Sequence, residues 1–174
     1  MANTYIKIAS TTVGSGGAAN VEFTSIPATY TDIKIVFSAR SNYASVWDHM
    51  YYFLNGDSSN NYTSKWLQGS GTTALSSNQS AAASLQPRYA IPGANATAST
   101  FGNGEIYIPN YLSNRSKSQN IDTATENNAA EAYVAITAGF WNNSSAINAF
   151  NIYPYNGTLF AQYSTFTLYG IKNS

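Results

Sequence analysis

The chain has no cysteine, a single histidine and few charges: eight basic and eight acidic residues among 174. Without cysteine there can be no disulfide, no thiolate nucleophile and no Cys-ligated zinc. Charged residues make up 9% of the sequence, against roughly 25% in soluble domains. Net charge is zero, and the cations are scattered from Lys7 to Lys172. Nucleic-acid binding draws on clustered cations meeting phosphates, so that class of partner is disfavoured. No apolar run approaches the roughly 20 residues that span a bilayer. The opening Met1-Ala-Asn-Thr-Tyr-Ile-Lys-Ile8 has no charged segment leading into an apolar one. Neither a signal peptide nor membrane insertion is therefore expected.

What takes the place of charge is Ser, Thr and Asn, together roughly a third of the residues, well above ordinary usage. They are interleaved with an ample supply of core-forming side chains, 44% hydrophobic and 14% aromatic. The length and the absence of a compositional break predict one domain over residues 1–174. Period-2 alternation bounded by turn residues dominates. It predicts strands at 5–10, 21–25, 32–39, 50–54, 62–68, 88–91, 104–108, 119–125, 132–140, 146–153 and 159–171. With no amphipathic helix among them, these short strands argue an all-β fold, a jelly-roll-like antiparallel β-sandwich. An up-and-down barrel is the alternative. The Ser/Gly/Ala-rich stretch 69–84 reads as a long loop or a weakly ordered edge, with Ala81-Ala-Ala83 forming at most a short helical turn. Asn156-Gly157, between two apolar runs, predicts a tight hairpin joining the last two strands.

Reactive chemistry is hard to assemble from this inventory. His49 follows Asp48 directly, and neighbours along a strand point to opposite faces, so the pair is no sign of a Ser–His–Asp triad. A histidine satisfied within the fold is the better reading. The carboxylates show no spacing that singles out a glycosidase pair; Glu22 and Asp32 read as solvated charges at strand starts. Asp57-Ser-Ser-Asn-Asn61 lacks the alternating oxygen ligands and distal Glu of a calcium loop. No catalytic residue, metal ligand or cofactor is assigned. The aromatic residues are the richer resource. Tyr43, Trp47, Trp66 and Trp141 lie near Asn or turn residues and are the candidate surface binding residues, suited to stacking a sugar or meeting a protein. The competing reading places each of them in the core.

Several phrases together carry a resemblance. They are the stretch Phe23-Thr-Ser-Ile-Pro-Ala-Thr-Tyr-Thr-Asp-Ile-Lys-Ile-Val-Phe-Ser-Ala-Arg40, then Asn103-Gly-Glu-Ile-Tyr-Ile-Pro-Asn-Tyr111, and Phe166-Thr-Leu-Tyr-Gly-Ile-Lys172. With Phe53-Leu-Asn-Gly-Asp57 and Glu126-Asn-Asn128 between them, the order resembles a family of small virion proteins of tailed bacteriophages, common among cyanophages and marine phages. The resemblance implies a non-enzymatic β-sandwich on the virion, assembled in the host cytoplasm. It also implies an oligomer, often a homotrimer, in contact with other virion proteins such as the major capsid protein. Capsid decoration is the leading expectation, because the chain lacks the stalk of a complete fibre. A tail-fibre or receptor-binding module that meets host surface glycan is the second. No active site comes with the family.

Overall fold

The computed structural model describes residues 4–128 and 131–172. Among them lie eleven strands: β1 (Tyr5–Thr12), β2 (Val21–Phe23), β3 (Asp32–Ala39), β4 (Met50–Leu54), β5 (Tyr62–Ser70), β6 (Thr73–Ala82), β7 (Gly102–Ile108), β8 (Lys117–Thr125), β9 (Tyr133–Trp141), β10 (Phe150–Pro154) and β11 (Thr165–Ile171). They form the expected antiparallel sandwich, divided unequally. Eight strands make one sheet in the order β1-β11-β3-β7-β8-β9-β5-β6, and three make the other, β2-β10-β4.

The core follows from alternation. On β3, Ile33, Ile35 and Phe37 point inward while Lys34, Val36 and Ser38 point out. Ile106 and Ile108 of β7 and Phe166 and Leu168 of β11 join them. From the small sheet come Val21, Phe23, Met50, Tyr52, Leu54, Phe150 and Ile152. Burying each such side chain fully is worth about 1.5–3 kcal/mol relative to exposure. Phe166 sits between Phe37, at 6.1 Å, and Phe160, at 4.9 Å. Gly170 is required where it stands: a Cβ there would lie 2.3 Å from Cγ of the Tyr30 ring.

Three expectations are corrected. Of the two readings of residues 69–84, the loop fails and the edge stands: β5 continues to Ser70, turns at Gly71 (φ +58°), and β6 returns as a ten-residue edge strand. Ala81, at φ +49°, lies beside an irregularity in the β5–β6 register and not in a helical turn. Asn156-Gly157 does not close a hairpin, because β10 and β11 belong to different sheets. Asp48 holds that turn instead, accepting the amides of Asn156 and Gly157, each at 3.0 Å. Residues 88–91 do not form a regular strand. They belong to an irregular 85–91 segment that runs beside β4 and the residues just before it, through Tyr52 N to Leu85 O (2.9 Å) and Asp48 N to Ile91 O (2.7 Å). Pro87 and Pro92 have no N–H to continue a ladder, and Tyr89 at φ +46° breaks the extended path.

Candidate functional site

The polar side chains come first, since chemistry would start with them. Asp48, fully buried, accepts from Ser41 Oγ (2.8 Å), the His49 amide (2.8 Å) and the Asn156 side chain (2.9 Å), besides the two turn amides. Ser41 thus donates straight to the carboxylate. His49 is turned away, its Nδ1 accepting the Tyr89 amide at 2.8 Å. The histidine does not stand between hydroxyl and carboxylate as a triad requires. Burial, and then the nearby Arg88 guanidinium, pull the His49 imidazole down to about 4, against the opposing pull of Asp48.

Other charges are occupied in the same way. Burial pushes the Asp57 carboxyl up, but hydrogen bonds from Asn61, Trp141 and Ser59 outweigh it and hold it at about 2. Lys117, 1% exposed, gives its ammonium to the carbonyls of Ser113, Arg115 and Ser145 at 2.8, 2.5 and 3.0 Å. Arg40 clasps the carbonyls of Ala94, Ala96, Thr97 and Thr100. Asp32 is buried rather than solvated, and accepts from Tyr107 Oη and the Asn110 amide. Each group fastens a loop to the sandwich.

The four aromatic candidates are not brought together. Trp141 is in the core at 0% exposure, its Nε1 donating to Asp57 at 2.8 Å and its ring stacked on Tyr62; the expectation of a surface tryptophan there is overturned. The reason is parity: β9 turns residues 135, 137, 139 and 141 inward. Trp66 is half-buried on the inward face of β5 under the Arg88 guanidinium, 4.3 Å away. Trp47 is half-buried against Tyr89 (4.7 Å) and Tyr133 (6.0 Å), with Nε1 on Glu131 at 2.8 Å. Tyr43 is half-buried in the loop before β4, where its carbonyl receives the amides of Ser45 and Ala94. A second aromatic group, outside the four candidates, lies on the outward face of the small sheet. Tyr51 and Tyr153 stack across β4 and β10 at 5.0 Å, with Phe53 and the 45% exposed Tyr155 beside them.

The surface least explained by folding is the outward face of the large sheet. On β9 all four outward residues, Val134, Ile136, Ala138 and Phe140, are apolar, and three are 58%, 53% and 37% exposed in the order Val134, Ile136, Phe140. Leu67 of β5, paired with Ile136, is 55% exposed. Register puts Val36, Glu105, Asp122, Ile136 and Leu67 side by side across five strands. A groove of about 450 Å³ runs between Val36, Glu105, Asp122, Ala124, Val134 and Ile136. The inward face of these strands is the reverse. Gln119, Thr123 and Thr125 of β8, Thr137 of β9, and Ser64 and Gln68 of β5 are all buried there. The signal was legible in one run, Tyr133-Val-Ala-Ile-Thr-Ala-Gly-Phe-Trp141, which is apolar at every outward position and polar inward at Thr137.

No family model, no curated protein and no solved structure matches the chain.

Proposed function

We propose that this chain is a non-enzymatic structural protein of a bacteriophage particle, decorating or cementing the capsid surface. The observation that carries the reading is the outward apolar face of β9 and Leu67, which a protein working alone in water would not be expected to leave bare. The phage assignment draws on the strand and turn phrases at 23–40, 103–111 and 166–172. Binding works by area burial: a rigid sandwich lays its open sheet on neighbouring virion subunits, and the Ser, Thr and Asn rim supplies neutral hydrogen bonds. Charges already committed to pinning loops add to rigidity and take no part in contact. Imaging of the intact virion tests this. A copy number in fixed ratio to the major capsid protein, with the β9 face covered, is expected; copies far fewer than the capsid protein would overturn capsid decoration.

A second reading, a tail-fibre module that binds host surface glycan, is favoured by the stripe of Tyr51, Phe53, Tyr153 and Tyr155. The half-buried rings of Tyr51 and Tyr153 and the exposed ring of Tyr155 combine apolar surface with a hydroxyl, as sugar recognition needs. Glycan-array binding that is lost in Tyr51→Ala and Tyr155→Ala would support it, and an array without signal would remove it.

A further inference from the structure

We propose that the outward face of β9 is where two copies of this chain pair face to face, about a two-fold axis running along β9. The inference rests on reading that face as an assembly surface, and names its occupant. Three observations converge on a second copy.

The first is layering. The outward side of β9 is apolar at all four positions, yet the chain supplies a covering layer only on its inward side. A second sheet packed about 10 Å away is the usual way such a strand is closed off. The second is size. From β7 to β6 the face is five strands wide, about 24 Å, and β9 is about 30 Å long at the usual strand spacings. That is about 700 Å², close to the roughly 800 Å² per partner of a standard stable interface.

The third is charge. Asp122 on β8 and Lys65 on β5 point outward and flank β9 on opposite sides. Among the described residues neither makes an ion pair within the chain; the salt bridge on this sheet joins Lys34 to Glu105. Asp122 accepts only a neutral amide, from Asn120 at 2.9 Å. Rotation by 180° about β9 exchanges the places of β8 and β5. Each Asp122 then comes over the Lys65 of the other copy, and the pairing occurs twice. Lys65 is opposite Ala138 and Asp122 opposite Ile136, an offset of two residues or about 7 Å that a lysine side chain spans. The same rotation lays Ile136 on Ile136. Any foreign partner would have to reproduce this pattern, whereas a second copy carries it already. A trimer, as the resemblance implies, needs two different patches meeting head to tail; one self-complementary stripe fits a two-fold.

Sedimentation equilibrium of the purified chain over a concentration series tests the pairing. A dimer is expected, and Ile136→Asp is expected to leave a monomer with an unchanged near-UV spectrum. Asp122→Lys and Lys65→Asp should each weaken the dimer by about tenfold or more, since like charges then face each other. The double variant D122K/K65D should restore it, an outcome that loss of folding could not mimic. A trimeric mass overturns the two-fold, as does a dimer indifferent to both reversals or not restored by the double change. If the wild type stays monomeric but decorates particles, and Ile136→Asp abolishes decoration, a foreign subunit covers the face; self-pairing falls while the proposed function stands. If Ile136→Asp changes neither mass nor decoration, both fall.

Discussion

The two halves of the large sheet have opposite polarity. In the half made by β11, β3 and β7, the inward residues are all apolar or glycine, and the outward ones are Asp, Thr, Lys, Ser, Asn, Glu and Tyr apart from Val36 and Ile171. In the half made by β8, β9 and β5, Lys117, Gln119, Thr123, Thr125, Thr137, Ser64 and Gln68 face inward beside Ile121, Tyr62 and Trp141, and Val134, Ile136 and Ala138 of β9 face out. The first half is a sheet with one face on a core and one in water. The second meets the 85–91 segment, whose backbone offers carbonyls: Thr123 Oγ1 donates to Arg88 O at 3.0 Å, and Thr125 Oγ1 to Tyr89 O. A polar inward face suits a partner that is irregular backbone, and an apolar outward face suits a partner that is another protein surface. The difference teaches where folding ends and assembly begins.

The contrast can be broken at its strongest point first. Trp141→Ala removes the largest inward side chain of the second half and leaves Asp57 short of a donor, so urea unfolding should show a loss of about 4 kcal/mol. A loss under 1 kcal/mol would mean that this half is not packed as described.

Acid probes the same half. The unfolded chain protonates His49 near 6.5 and the folded one only near 4. A neutral buried imidazole therefore stabilises the fold fully above about pH 6.5, and the contribution fades as pH falls toward 4. The expected total is about 3 kcal/mol. Chemical denaturation at several pH values should show this slope in the wild type and a flatter one in His49→Gln; equal slopes would place the imidazole in solvent.

A smaller effect is expected where the sheet holds the 85–91 segment. Thr125→Val leaves the Tyr89 carbonyl without its hydroxyl donor and should cost about 1–2 kcal/mol in the same assay. Stability equal to or above the wild type would show the inward hydroxyl to be dispensable.

The smallest effect sharpens the comparison most. Leu67→Ser and Val134→Thr on the outward face should shift monomer stability by no more than about 0.5 kcal/mol, although each removes an aliphatic side chain. A core-sized loss in either variant would mean that the outward face is already part of the monomer's folding unit.

Legibility followed the same division. The limits of β3 and β4 were readable to the residue, because each alternates cleanly between a core face and an outer one. β6 was not, since ten residues of Thr, Ala, Ser, Asn, Gln and one Leu carry no alternation, and only pairing with β5 makes them a strand. Asn156-Gly157 misled for a related reason: a turn signal says that the chain bends, not which sheet it bends toward. Among the candidates, Trp141 was misplaced because the expected strand stopped at 140, whereas β9 runs one residue further and turns Trp141 inward. Residues 129 and 130, which precede β9 in the sequence, lie outside the described residues.

From the residues alone came the all-β class, the single sandwich, the scarcity of reactive groups and the neutral veneer, because composition and period-2 alternation are local properties of the chain. Which face of β9 meets the core, which carboxylates are buried, and that Val134, Ile136 and Phe140 of β9 and Leu67 of β5 lie outward were decided only in three dimensions. Register and sheet order are settled by contacts between distant segments, and a shift of one residue would exchange every inward side chain for an outward one.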